Sequence, residues 1–431
     1  MNKYKKIVIF ITCVLWAICM ILGGCGSHDK ENSSDQEQTW LQRNGQKIAL
    51  YDIEKYKKGL IDERKSIEEV SQSYLEEVES VKNAEYKNFS FDACEFTEFP
   101  KFESLHVMME TDHGITTEES WNTIEEWLES IGKRDLVDME KEVRIVASEI
   151  PWDESKEFPY SYPALYEHMD LSDGAGAFVT TKECHMQISY DGVYSMSDGK
   201  MNAYLKDDAL AHGGALGDYS WNIVEEGNVS ELFEKSYPLI FGELTIGEGA
   251  ELVKQYFEAG TPFALEEGVE LSVPEVSVFT LGDVYGYDYK VQRVYKGVPI
   301  AFTGYYTYFP GRTGIPGGDI KHAYVVDDEG VSAYAGNNAS AVLTELYSDV
   351  EMIGFEQAVT LLSEKMAGRI SSEIDKAGLV YAKVSFDEGL SHVLFPCWGF
   401  SGKNLTKNEA IDVYVDVFTG DIYYRTLVLY E

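Results

Sequence analysis

Residues 411–428 read IDVYVDVFTGDIYYRTLV and carry the clearest structural signal in this chain. Four aliphatic residues alternate with Asp, Tyr, Asp and Phe in the first half: Ile411, Val413, Val415 and Val417. Successive side chains of a β-strand point to opposite faces, so a period of two indicates a strand with one aliphatic face. Thr419-Gly420 interrupts the pattern where a turn is needed. The stretch therefore predicts an antiparallel hairpin.

A helix is predicted upstream of this hairpin. Five apolar residues follow one another at short steps: Phe355, Ala358, Val359, Leu362 and Met366. Steps of three and four place them on one face of an α-helix. Two strand-like runs follow, LVYAKVSF at 379–386 and LFPCWGF at 394–400. The segment predicts one helix followed by antiparallel strands.

The same order occurs earlier in the chain. Residues 248–257 have a helical pattern, and residues 322–334 predict a hairpin that turns at Asp328-Glu329-Gly330. Strand-like runs lie between them, at 269–273, 275–281 and 285–308. The predicted fold class is therefore α+β, with helices packed on antiparallel sheets and two tandem units in the C-terminal half.

Both units resemble known modules. Residues 287–300, YDYKVQRVYKGVPI, resemble the signature strand of the fungalysin/thermolysin propeptide module, and residues 325–331, VVDDEGV, resemble its closing hairpin. Phe355-Glu356-Gln357-Ala358 resembles the helix start of a PepSY domain, and residues 415–422 are similar to its terminal Val-Asp-x-x-Thr-Gly-x-Ile hairpin. The order of the two modules, over about residues 240–431, resembles the pro-regions of thermolysin-like metallopeptidases.

The catalytic half of those peptidases has no counterpart in this sequence. Their zinc site uses His-Glu-x-x-His, in which two imidazoles four residues apart share one helical face. This sequence contains no such motif. The resemblance therefore implies the chaperone or inhibitor half of the system, or a scaffold reused for binding, with its protein partner in trans.

The N-terminus predicts export and lipid anchoring. Lys3, Lys5 and Lys6 precede an almost wholly apolar stretch at 7–22, and Leu22-Gly23-Gly24-Cys25 follows. This is the pattern of a secretory signal, and its last four residues resemble the lipobox of bacterial lipoproteins. The resemblance implies cleavage before Cys25, a diacylglycerol thioether on it and fatty acylation, such as palmitate, at its new amino group. The alternative is an uncleaved transmembrane anchor, and both place the remaining chain outside the cytoplasmic membrane.

The charge of the chain restricts its partners. The 431 residues include 36 Lys+Arg and 74 Asp+Glu, a formal charge of −38. Loss of residues 1–24 would remove three lysines and no acid, giving −41. A chain this acidic repels nucleic acid and anionic lipid head groups and favours a cationic protein surface. With 44% hydrophobic residues the chain can still build ordinary cores.

The cysteines and histidines predict neither a disulfide framework nor a metal site. After cleavage and lipidation three cysteines remain, Cys94, Cys184 and Cys397, and an odd number favours buried thiols. Eight histidines are present, none of which pairs with another at metal-ligand spacing. Cys184 and His185 are adjacent and would point to opposite faces of a strand. No metal and no cofactor are predicted.

Three glycine-containing segments partly match known ligand-site patterns. Residues 170–174 resemble a calcium loop but lack its closing glutamate. Gly247-Glu248-Gly249 opens a predicted helix without the further glycine or lysine of a phosphate site, and residues 311–318 lack the Gly-Lys-Ser/Thr ending of a P-loop. Gly-x-Ser-x-Gly is also absent. No catalytic residue is predicted.

The region before residue 240 resembles no family that we recognise. Apolar steps predict helices over 67–81 and 121–131, the second preceded by a Thr-x-x-Glu capping box at 116–119 and ended by Gly132. Residues 89–110 predict one or two strands, and residues 143–229 are strand-like and rich in loops.

The sequence thus predicts five parts: a lipoprotein signal (1–24), a polar tether (25–45), an N-terminal α+β region (46–240), a propeptide-like module (241–345) and a PepSY-like module (346–431). The predicted function is that of a membrane-anchored extracytoplasmic lipoprotein that binds or regulates a protein partner and not nucleic acid. Two alternatives stay open, a hydrolase with its active site in 46–240 and a solute-binding lipoprotein. Cys25, the lipidation site, is the one functional residue predicted.

Overall fold

The structure is a computed structural model, and the part of the chain that it describes comprises the following residues: 40–43, 46–49, 51–112, 117–147, 175–181, 183–188, 194–199, 222–239, 242–258, 267–281, 284–301, 321–336, 341–367, 371–387, 391–405 and 409–428.

The helices are α1 (Ile53–Lys57), α2 (Ile67–Asn83), α3 (Thr117–Ser130), α4 (Met139–Glu142), α5 (Val229–Leu232), α6 (Ile246–Glu258) and α7 (Phe355–Lys365). The strands are β1 (Trp40–Arg43), β2 (Gln46–Ala49), β3 (Lys65–Ser66), β4 (Phe89–Ser90), β5 (Glu95–Phe96), β6 (Leu105–Asp112), β7 (Arg144–Ala147), β8 (Ala175–Thr180), β9 (His185–Ile188), β10 (Tyr194–Ser197), β11 (Asn222–Asn228), β12 (Ser236–Pro238), β13 (Glu243–Thr245), β14 (Val269–Leu281), β15 (Val284–Tyr295), β16 (Val298–Pro299), β17 (Lys321–Val325), β18 (Ala333–Gly336), β19 (Ala341–Asp349), β20 (Glu351–Met352), β21 (Ser372–Asp387), β22 (Ser391–Asn404), β23 (Glu409–Asp416) and β24 (Ile422–Val428).

Strands from both ends of the described chain form one eight-stranded sheet, which we call the terminal sheet. Its main order is β19-β6-β22-β21-β4, with β5 beside β21 and the hairpin β23–β24 joined to β22. The long strand β22 pairs with β21 along one side, and with β6 and then β23 along the other. The hairpin predicted at 411–428 is confirmed, with Val415 opposite Ile422 at its turn.

One face of the terminal sheet packs against α2 and α7. The rings of Tyr74 on α2 and Trp398 on β22 are stacked with centroids 5.6 Å apart, and Phe355 on α7 meets Trp398 edge-on at 5.1 Å. The apolar residues of the stripe predicted on α7 are all buried in this core: Phe355, Ala358, Val359, Leu362 and Met366. The helix predicted over 67–81 is likewise confirmed as α2.

Residues near α1 cover part of the opposite face. Phe395 lies an odd number of positions from Trp398 on β22, so its side chain points the other way. Tyr56 stacks on Phe395 with centroids 5.4 Å apart, and Tyr51 meets the same ring edge-on at 5.7 Å. The terminal sheet is therefore covered on both sides of β22.

The middle of the chain forms a ten-stranded sheet, which we call the central sheet. Its main order is β11-β14-β15-β17-β18-β10-β9-β8-β7, with β16 beside β15, and all of these pairings are antiparallel. One face packs against α3 and α6 in a second core that includes Trp127, Val253, Tyr287 and Tyr289. The predicted hairpin at 322–334 is confirmed as β17–β18.

The architecture confirms the α+β class, with helices on predominantly antiparallel sheets. Buried apolar residues at 51–112 share one core with those at 341–428, and Val269, Tyr295, Val298, Ile300 and Ala301 join the same core. Buried apolar residues of α3, α4 and β8–β10 share the second core with most of the buried apolar residues at 229–334. The five-part division of the chain stays a prediction. In the part of the chain that the structure describes, no helix is long and apolar enough to cross a membrane.

Candidate binding edge and buried charge clusters

Strand β11 ends the central sheet on one side. In the described residues β11 pairs with β14 alone, from Asn222 opposite Thr280 to Asn228 opposite Glu275. The register shifts between Ile223 and Glu225, so Val224 has no partner across the strand pair. Such a bulge bends an edge strand and redirects its side chains.

The bulge exposes two aliphatic side chains on this edge. Ile223 is 50% exposed and Val224 is 49% exposed, whereas Phe279, the residue opposite Ile223, is fully buried. Natural edge strands commonly carry lysine or proline, which discourage pairing with another chain. β11 reads NIVEEGN and carries neither.

Four glutamates follow the aliphatic pair along the chain. Residues 222–235 contain four glutamates and one lysine. Glu225 accepts hydrogen bonds from that lysine, Lys235, and from Tyr237, and these bonds lower the pKa of its carboxyl group. Glu226 accepts a hydrogen bond of 2.8 Å from the Ser277 hydroxyl.

The remaining two glutamates of this segment, Glu231 and Glu234, are exposed. None of Glu226, Glu231 and Glu234 has an ion-pair partner in the described residues. The β11 edge therefore combines the aliphatic pair Ile223 and Val224 with an acidic segment, the four glutamates at 225–234, which we call the acidic rim.

Three carboxylates join the two sheets: Glu110, Glu275 and Glu345. Glu110 is the most buried of the three. Glu110 on β6 is 2% exposed and pairs with Arg293 on β15 and Lys383 on β21. Burial alone would raise the pKa of Glu110, but Lys383, Arg293 and then His392 lower it well below its usual range. The carboxylate is therefore held ionised between cations from both sheets.

The other two carboxylates make similar connections. Glu275 on β14 lies 3.0 Å from the Lys290 Nζ of its own sheet and 2.9 Å from the Lys376 Nζ of the terminal sheet. Glu345 on β19 accepts hydrogen bonds from the Tyr295 hydroxyl and from Lys296, both of which come from the central sheet or its adjoining turn. Each carboxylate thus contacts side chains from both sheets.

A buried carboxylate also lies within the terminal sheet. Asp416 on β23 is fully buried, and its Oδ1 accepts hydrogen bonds from the backbone N–H groups of Phe418 and Thr419 at 2.8 and 3.1 Å. The Tyr56 hydroxyl donates to the same carboxylate at 2.9–3.0 Å. Burial raises the pKa of Asp416 to about 7 in spite of these three donors. The site ties α1 to the last hairpin.

A His–Asp pair lies on the face of the central sheet that is opposite α3 and α6. His322 Nδ1 is 2.8 Å from Asp288 Oδ1, and the imidazole stacks on Tyr324. The Asp288 carboxylate therefore fixes the orientation of the imidazole ring. No group of three or more His, Cys, Asp or Glu side chains in the described part of the chain could hold a metal ion.

Gly247 and Gly249 at the start of α6 allow close packing, and nothing at these positions points to a phosphate site. Thr245 and Glu248 exchange hydrogen bonds at the start of α6, forming a capping box. The Tyr289 hydroxyl donates to the Ile246 carbonyl at 2.7 Å, and a Cβ on Gly249 would lie 2.2 Å from that hydroxyl. Gly247 is similarly close to the ring of Phe233. Glycine is needed at 249 because the sheet approaches the helix closely, and at 247 because the Phe233 ring does.

The structure leaves several predicted positions outside the described residues. Cys25, the candidate lipidation site, lies there, as do the segments 170–174 and 311–318. The thiols of Cys94, Cys184 and Cys397 are not paired in disulfides, and the last two are buried, as expected. Cys184 is fully buried while the next residue, His185, is partly exposed, which agrees with opposite directions of their side chains.

The sequence alone reveals neither the burial of Glu110 nor the position of β11 at the end of a sheet. Nothing local distinguishes Glu110 from the many other acids, because its cations lie 183 and 273 positions away. The acidic run around β11 is visible in the sequence, but the position of that strand at the end of a sheet is not. The Ser66–Glu69 capping box that begins α2 is a local Ser-x-x-Glu pattern, and such a pattern can be recognised in a sequence.

Comparisons with known proteins give little beyond this geometry. No protein-family profile and no curated protein matches the sequence. Among solved structures, the C-terminal domain of YpeB from Bacillus megaterium is similar, with 10% sequence identity over 73% of this chain and 99% of that domain. Its TM-score is 0.29, a value too low to support an inference about fold or activity.

Proposed function

We propose that this chain is a lipid-anchored extracytoplasmic protein that binds a protein partner and regulates it. The observation that carries the binding role is the β11 edge, with Ile223 and Val224 half exposed on a strand that pairs on one side within the described residues. Exposed sheet edges are a recurrent mode of protein recognition, because the edge offers both backbone hydrogen bonds and side-chain contacts.

The regulatory role is supported by the sequence resemblance. The segments 287–300 and 415–422 resemble propeptide and PepSY modules, which act on a partner by contact and not by chemistry. The partner would be supplied in trans, since the chain has no His-Glu-x-x-His motif. The acidic charge of the protein favours a partner with a cationic surface and predicts faster association at low ionic strength.

Affinity capture with the full chain tests the binding role. Tagged protein is cross-linked in cells, solubilised in detergent and purified, as wild type, as Ile223→Lys/Val224→Lys and as Leu75→Lys. Leu75 is a matched control because it is a 74% exposed aliphatic residue on α2, a helix of the terminal-sheet core. We expect the same proteins with wild type and control, and their loss with the double variant.

Two results would contradict the proposed function. One is the absence of any enriched protein with wild type at low and at high salt. The other is turnover of peptides or glycans by the purified protein, which would favour a hydrolase with its active site in residues 46–240.

The anchor is tested separately at Cys25. We expect Cys25→Ser to abolish metabolic labelling with fatty acid, because the thiol that receives diacylglycerol is lost and the signal is no longer processed as a lipoprotein signal. Cys19→Ser is the control, since that cysteine would leave with the signal. Equal labelling of the Cys25→Ser variant and the wild type would show that the lipidation site is wrong.

A further inference from the structure

We infer that β11 binds an extended, lysine- or arginine-bearing segment of the partner as an additional β-strand. This inference rests on the proposed function and names the surface and the chemistry of the partner. Three features of the β11 edge carry it: a strand side without a partner in the described residues, which we call the open strand, the aliphatic pair and the acidic rim.

The open strand supplies the backbone contact. From Glu225 to Asn228 the register with β14 is regular, so this part of β11 has an ordinary pleat. Alternate N–H and C=O groups of an edge strand point away from the sheet and can pair with an added strand. Recognition of this kind obtains its affinity from the backbone and its specificity from the side chains beside it.

The aliphatic pair supplies the apolar contact. Ile223 and Val224 are consecutive and both are about half exposed. Val224 has no cross-strand partner within the sheet, so its side chain is available to an incoming strand. An added strand with a β-branched residue opposite this pair would remove apolar surface from water, which favours binding.

The acidic rim selects the charge of the added strand. A second copy of this chain would place its own Glu225 and Glu226 beside these residues, and like charges across a strand pair are destabilising. A segment that alternates lysine or arginine with aliphatic residues would instead oppose Glu226 with a cation. The bulge and the acids therefore disfavour self-association and admit a basic strand.

Charge also separates β11 from the longer edge strands of the two large sheets. β7 and β24 each contain one arginine and no acid. β19 contains Glu345 and Asp349, but Lys296 pairs with the first and Arg64 with the second. Among these strands of the described chain, β11 combines exposed aliphatic residues with one acid, Glu226, that has no ion-pair partner in the described residues.

Peptide binding to the full chain in detergent tests the inference. The probes are three short fluorescent peptides: alternating lysine and valine, alternating glutamate and valine, and the lysine peptide with N-methyl groups on the backbone nitrogens of one edge. We expect the lysine peptide to bind at least about tenfold more tightly than either of the others, by fluorescence anisotropy. We also expect binding to slow amide hydrogen exchange within residues 222–228.

Variants sharpen the result. Ile223→Thr/Val224→Thr keeps strand-forming residues and should weaken the lysine peptide about tenfold, while Leu75→Thr should leave its affinity unchanged. Glu226→Gln/Glu231→Gln should reduce the salt dependence of binding. Amide hydrogen exchange at 222–228 is measured on the wild type and needs no variant. The inference can therefore be tested even if a variant folds poorly.

The outcomes distinguish this inference from the proposed function. Equal binding of the lysine and glutamate peptides, or slowed exchange elsewhere than at 222–228, would overturn the inference. The function would still stand if the full chain captures a partner that cross-links away from β11. Slowed exchange at 222–228 by the lysine peptide alone, with no partner captured from cells, would support the edge and overturn the proposed function.

Discussion

The terminal sheet is packed on both faces around β22, whereas the central sheet ends, within the described residues, in a partly apolar strand that is paired on one side. In the terminal sheet two helices cover one face and residues near α1 cover part of the other, and the buried carboxylate of Asp416 accepts three hydrogen bonds. The central sheet leaves Ile223 and Val224 half exposed on β11. The contrast indicates that an added strand would be accommodated at β11 more readily than on the covered faces around β22.

The largest effect is expected where the two sheets meet. Glu110→Ala removes the carboxylate that Arg293 and Lys383 share, and loss of one partner from a buried ion pair costs about 3–5 kcal/mol. Urea unfolding monitored by tryptophan fluorescence measures the change in unfolding free energy. We expect the exchange of amides in both sheets to accelerate, because the residue joins them.

Glu54→Ala is the control for this prediction, since its pairing with Lys57 is exposed. A change below about 0.5 kcal/mol is expected there. If Glu110→Ala has an equally small effect, or accelerates exchange in the terminal sheet alone, the carboxylate does not couple the sheets.

The next effect is a pH dependence confined to the terminal sheet. The folded state raises the pKa of Asp416 from 3.8 to about 7, so between these values the native protein binds more protons than the unfolded chain. The contribution of Asp416 to the unfolding free energy therefore falls as pH rises from about 4 to 7, by at most about 4 kcal/mol. Tyr56 does not titrate in this range, because burial first and then Asp416 raise its pKa.

Asp416→Asn tests this dependence. An asparagine keeps the acceptor for the two backbone N–H groups and carries no charge, so the variant should gain stability relative to wild type as pH rises above 5. Asp412→Asn, four residues earlier on β23, is the control and should follow the wild-type pH profile. Parallel pH profiles for wild type and Asp416→Asn, from thermal unfolding, would refute the raised pKa.

A smaller effect is expected from Gly249→Ala in the central core. The added methyl group would overlap the Tyr289 hydroxyl, and overpacking of a core commonly costs about 1–3 kcal/mol. We expect faster amide exchange in α6 and β15 while the terminal sheet is unchanged. Gly249→Ala/Tyr289→Phe removes the hydroxyl and should recover part of the loss, and no recovery would mean that the clash is elsewhere.

The smallest effect concerns the start of α2. The Ser66 hydroxyl caps the helix by accepting a hydrogen bond from the Glu69 N–H, and the Glu69 carboxylate accepts one from the Ser66 N–H. Ser66→Ala should reduce the unfolding free energy by about 1 kcal/mol, and Ser66→Asp should restore most of it. Equal stability of the three proteins by urea unfolding would show that the cap does not contribute.

The elements that could be predicted are those encoded by neighbouring residues. The stripe on α7 and the alternation in β23 are local patterns, and burial of Val359 and Val413 follows from them. The strands around residues 105–112 were expected, but not their neighbours. β6 pairs with β19 and β22, more than two hundred positions later, and no local pattern encodes such a pairing.

The candidate site was less predictable for the same reason. In the sequence, Ile223 and Val224 look like residues of a buried strand. Their exposure depends on the position of β11 in the sheet order. Burial of Glu110 likewise depends on three strands that meet only in the folded chain. The charge of the protein could be read directly, and it is the property from which the cationic character of the partner was predicted.

A growing chain leaves the ribosome with its N-terminus first, so the two sheets cannot be completed at the same time. All strands of the central sheet are present once residue 336 has been made, whereas the terminal sheet needs β23 and β24 at 409–428. Tyr74 on α2 stacks on Trp398 of β22, so it lacks this partner until β22 has been made. The nascent α2 must therefore wait for strands made more than three hundred positions later before it can pack on the terminal sheet.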